Sequence, residues 1–92
     1  MKTQTFKSVW DALEDTHQAA TSMKIRSEMM IALRDHVEKW HVTQAVAAKR
    51  LGITQPRLND LMSGRVNRFS LNALFDLAGR AGLQVQVKLK AA

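Results

Sequence analysis

The sequence predicts an all-α domain of four helices, entered through a short N-terminal helix and left through one C-terminal β-strand that closes a dimer. Three patterns carry this. Apolar residues recur at helical spacing ahead of residue 40, and Thr and Ser caps alternate with Gly stops between residues 43 and 82. Residues 83–90 then alternate strictly between apolar and polar.

Phe6, Val9, Trp10 and Leu13 stand at i, i+3, i+4, i+7, with Ser8 and Asp11 as a capping signal, so a short helix is expected there. Residues 14–22 (EDTHQAATS) are small and polar and read as a linker, which sets a boundary between an N-terminal arm, 1–22, and a globular body, 23–82. In the body's first helix Ile25, Met29, Leu33, Val37 and Trp40 line one face, with Arg34/Glu38 and Asp35/Lys39 as i,i+4 pairs on the other. Thr43 caps a helix over 44–51 that Gly52 ends, and Thr54 caps the next, which runs to about Met62. Ser63 and Gly64 close it. A basic loop, 65–68, leads to Ser70, the cap of a helix reaching Ala81, with Phe69 and Leu74 spaced as a hydrophobic staple. After Gly82, Leu83, Val85, Val87 and Leu89 form the apolar side of the strand in a terminal segment, 83–92. No second strand occurs in the chain, so its partner is expected to be the same strand of another copy, antiparallel about a two-fold axis.

Ninety-two residues make one domain, and the absence of cysteine removes disulfides, thiolate metal sites and cysteine nucleophiles. The N-terminus lacks the apolar core of a signal peptide, and no run suffices to span a bilayer, so a soluble, cytoplasmic protein is expected. The net charge of +6 is uneven: residues 1–22 hold two bases against three acids, and residues 23–92 hold twelve bases against five acids. The body therefore suits a polyanion.

Residues 43–61 (TQAVAAKRLGITQPRLNDL) carry the chemistry. Two short helices meet across a tight Gly turn, with Ala47, Leu51, Ile53, Leu58 and Leu61 facing one core and small Ala48 at the closest approach. This leaves Gln55, Arg57, Asn59 and Asp60 outside, on the helix that in such a unit enters a major groove. Gln55 is chemically suited to adenine and Arg57 to guanine, with Asn59 further along. Arg65 and Arg68 lie beside them as candidate phosphate contacts, and residues 43–68 hold five bases against one acid.

On the elements TQ, A, LGITQ and L within 43–61, flanked by helices over 23–82, the chain resembles the Xre family of lambda-repressor-like helix-turn-helix proteins. The resemblance implies a repressor fold in which Gln44 touches phosphate and braces Gln55, which reads a base edge; Thr54 and Pro56, on either side of Gln55, are further candidate DNA contacts. Pro56 departs from the family pattern: it removes an N–H and biases Gln55 away from helical angles, although proline is tolerated in a first turn. With FKSVWDALED ahead of the domain and an amphipathic strand behind it, the whole arrangement is similar to HigA-like antitoxins. That implies autorepression of an operon and neutralisation of a RelE-type ribonuclease toxin, here through Phe6, Val9, Trp10 and Leu13. A stand-alone phage-like regulator without a toxin is the alternative.

Other chemistries are weaker. His17, His36 and His41 lack ligand spacing, so no metal or cofactor is expected. A ribonuclease using His36 or His41 with Glu38 meets the difficulty that the two histidines are roughly opposite in helical phase. A protein-only adaptor shares the helix-turn-helix but not the need for its arginines.

Overall fold

The computed structural model describes the backbone of residues 2–89 and 91, and the side chains of 20–89 and 91. The elements are α1 (Lys2–Glu38), α2 (Gln44–Leu51), α3 (Gln55–Met62), a 3-10 turn (Val66–Arg68) and α4 (Leu71–Arg80). The longest dimension, 59 Å, is comparable to α1 itself, about 55 Å at ~1.5 Å per residue. No helix among the described residues is long and apolar enough to cross a membrane.

The linker expected at 14–22 is instead helical, continuous with both flanks in the 37-residue α1. The physical reason is that polarity does not stop a helix. The segment contains neither Gly nor Pro, and its Glu, Gln and Ala residues are good helix formers. The helix ends at Glu38, and the turn that follows it closes at His41, which takes φ 51 without being glycine. Its N–H bonds back to the Glu38 carbonyl.

On α1, Met30, Leu33 and Val37 are buried, with Met29 and Trp40 packed against the core, whereas Ile25 stays exposed. The i,i+4 pairs expected on α1 do not close: among the described residues the ion pairs join Asp60 to Arg65 and Arg68, and Asp76 to Arg80. Leu51, Leu58, Leu61, Phe69 and Leu74 complete the core with α1's Leu33, so the staple pair Phe69 and Leu74 is buried together.

The three expected caps form: the Oγ atoms of Thr43, Thr54 and Ser70 accept from the N–H of Val46, Arg57 and Ala73 at 3.3, 3.2 and 3.1 Å. Gly52 takes φ 67, which lets the Ile53 N–H reach the Ala48 carbonyl at 3.0 Å and turns the chain directly into α3. A side chain at 52 would also run into the Arg80 guanidinium. Ala47 and Ala48 are buried where α2 enters the core.

The expected C-terminal strand is not seen: residues 83–89 are irregular, and no β-strand occurs among the described residues. A strand exists through its ladder, and one chain offers this segment no second strand. Leu83 packs on the core and its N–H bonds the Ala78 carbonyl at 2.8 Å. Val85, Val87 and Leu89 are exposed, the last two by 72 % and 93 %.

Candidate nucleic-acid interface

The corner at Gly52 buries one side of α3 through Leu58 and Leu61, which leaves Gln55, Pro56 and Asn59 exposed on the other. Pro56 lies in the first turn of α3, where its missing N–H would have had no helical partner anyway, so Gln55 still opens the helix. Thr54 is exposed as the cap, and Gln44, first residue of α2, is exposed too. Gln44, Thr54, Gln55, Pro56 and Asn59 thus all reach solvent, the two glutamines each at a helix N-terminus.

Arg57 is placed differently from a free base reader. Its guanidinium lies over the Phe69 ring, 3.9 Å from the centroid, and its Nη1 donates to the Arg68 carbonyl at 2.6 Å. Nor does Asp60 stand free on the outer face. Its side chain is only 14 % exposed and accepts from Arg65 at 3.1 Å and Arg68 at 3.4 Å. Both arginines remain largely solvated, so these pairs set geometry more than they add stability. Each keeps donors for a phosphate.

The loop between α3 and α4 is held from the far side by Arg26 of α1, a residue sequence reasoning did not single out. Its Nη1 donates to the carbonyls of Phe69 and Val66 at 3.1 and 3.3 Å, and its Nε donates to Ser22 Oγ at 3.1 Å. Only contacts across 40 and 43 positions reveal this role, and no local spacing signals it. The 3-10 turn itself closes with Arg68 N–H to Arg65 carbonyl at 3.0 Å and Phe69 N–H to Val66 carbonyl at 3.2 Å.

The histidines proposed for an enzyme do not converge. His36 Nε2 donates to the Ala81 carbonyl at 2.9 Å, and its ring meets Trp40 edge-on at 5.7 Å, while His41 lies past the end of α1. Trp40 also carries Arg50 above its ring at 5.1 Å. The side chains of Phe6, Val9, Trp10 and Leu13 lie outside the described residues. Of the four residues expected to dimerise, Leu83 is packed on its own core. Val85 and Val87 border an apolar groove of ≈ 400 Å³ with Ile25, Met29, Leu71 and Phe75.

A family model described as a helix-turn-helix domain matches residues 12–90. A solved structure described as an XRE-family transcriptional regulator is similar at TM-score 0.74 and 26 % identity, over 80 % of this chain and 83 % of that one. No curated protein sequence matches the chain.

Replacing Arg26 by Ala leaves the Val66 and Phe69 carbonyls without their charged donor. The variant is expected to lose about 2 kcal/mol in urea denaturation; a loss under about 0.5 kcal/mol would mean that the loop holds its own shape.

Proposed function

Because the chain belongs to the helix-turn-helix domain family, we propose that it is a DNA-binding transcriptional regulator of the XRE type, a repressor whose α3 lies in the major groove of an operator. Regulators of this family are not enzymes. The observation that carries the reading is the outer face of α3, where Gln55 and Asn59 stand exposed beside the solvated Arg65 and Arg68. A helix fits the major groove, where Gln and Asn pair bidentately with adenine, and flanking arginines suit phosphates. Gln44, at the start of α2, is assigned a phosphate contact.

One α3 spans few base pairs, so a dimer is proposed. Leu83, Val85, Val87 and Leu89 supply its seam, the segment pairing as a strand with its copy. The exposure of Val87 and Leu89 and the adjoining apolar groove support that assignment. The operator is then an inverted repeat, its half-sites about 34–36 Å apart or a multiple of that.

For residues 1–22 we propose a protein partner, a RelE-type ribonuclease, which makes the chain an antitoxin that represses its own operon. The i, i+3, i+4, i+7 spacing of Phe6, Val9, Trp10 and Leu13 in the sequence supports this. Asp11, Glu14 and Asp15 give the arm an acidic cast suited to a basic partner.

Enrichment of duplexes from a random library by the full chain is expected to yield an inverted repeat. Gln55→Ala should cost about 1–3 kcal/mol on that sequence and little on random duplex, whereas Arg65→Ala and Arg68→Ala should weaken both and flatten the salt slope by roughly 0.9 each. Undiminished operator binding by Gln55→Ala would remove α3 as the reader. The Phe6→Ala, Trp10→Ala double variant should melt and bind operator as the parent does but release the toxin; earlier melting with toxin binding intact would make the arm a structural element.

A further inference from the structure

Arg57 and Asp60 stand three positions apart on α3, so they project from neighbouring points on that helix. Both reach the same residue. Arg57 donates to the carbonyl of Arg68 at 2.6 Å, and Asp60 accepts from its guanidinium at 3.4 Å and from Arg65 at 3.1 Å. The Phe69 ring, whose residue is 1 % exposed, lies under the Arg57 guanidinium. From α1, Arg26 takes the carbonyls on either side, those of Val66 and Phe69. Three backbone acceptors of one short basic loop are therefore gripped by two arginines. The loop's own two arginines are turned outward, held by a single carboxylate.

To reach a base edge, Arg57 would have to leave the Arg68 carbonyl without its charged donor and open the face of a core aromatic ring. Both are losses in the protein that a base contact must first offset. If it stays, the loop keeps its shape at no further cost in order when phosphates arrive.

We infer that Arg57 is a positioning residue that holds the Val66–Arg68 turn and Phe69 against α3, so that Arg65 and Arg68 are pre-set for phosphate while base discrimination rests on Gln55 and Asn59. This deepens the DNA-binding reading above and rests on it for its second half. The first half concerns the free protein and stands on contacts within the chain.

The test joins two measurements on the full chain. Amide hydrogen exchange without DNA reads the turn: the Arg68 and Phe69 amides should exchange on the order of tenfold faster in Arg57→Ala and at the parent's rate in Gln55→Ala. Arg57→Lys, which keeps a donor for the Arg68 carbonyl, should recover part of the protection. Duplex binding then reads the consequence. In Arg57→Ala the affinities for the enriched sequence and for random duplex should fall by a common factor, on the order of tenfold, with base preference unchanged at every position. Unchanged exchange at Arg68 and Phe69 overturns the inference. So does lost preference at one base pair with random-duplex affinity intact, whatever the exchange shows. If the parent chain enriches no sequence, the DNA-binding reading falls by itself, and the exchange rates still decide whether Arg57 positions the turn.

Discussion

The corner at Gly52 is the constraint on which the remaining geometry depends. With φ 67 at that residue and the Ile53 N–H on the Ala48 carbonyl, α2 stops and α3 begins within three residues. The left-handed angle excludes most side chains, and the Arg80 guanidinium occupies the space where a Cβ would stand. Arg80 is itself tied to Asp76 and to the Leu51 carbonyl, so α4 braces the corner from outside. Because the turn is this tight, Leu58 and Leu61 must enter the core shared with Leu33 and Leu51. Gln55 and Asn59 are then turned outward by the 3.6-residue period.

The basic loop packs Val66 against the core and is otherwise shaped by polar contacts. Its carbonyls are taken by Arg26 and Arg57 and its side chains by Asp60. A single carboxylate amid these arginines lowers the local positive charge, which by itself works against attraction to DNA. The arginine ends of its ion pairs are solvated, so its effect is chiefly on where Arg65 and Arg68 point. Charge is thus arranged in two tiers, with inner arginines spent on backbone and outer ones left for solvent or phosphate.

The parts of the fold legible in the sequence were those specified locally. Thr43, Thr54 and Ser70 cap their helices as their residue types require, and Gly52, Gly64 and Gly82 all take positive φ where a helix must stop. The outward Gln55 followed from the helical period, whereas Gln44 was indicated by the family resemblance and Arg65 and Arg68 by the charge of the loop. What was not legible depends on contacts far apart in the chain or on another molecule. A polar stretch at 14–22 looked like a linker, yet helix propensity without a breaker carried α1 through it. The period-2 segment after Gly82 has strand pattern but no ladder within its own chain. Arg57 has the chemistry of a base reader, and only the fold brings the Arg68 carbonyl and the Phe69 ring against it.

In the proposed regulator, α3 inserts its Gln55 and Asn59 face into a major groove. Intermolecular nuclear Overhauser contacts on the full chain bound to its enriched duplex test it most directly. Cross-peaks are expected from the Gln55 and Asn59 side-chain amides to major-groove base protons, with Arg65 and Arg68 near the sugar-phosphate backbone. Cross-peaks to base protons from α1 or α4, with α3 silent, would contradict it.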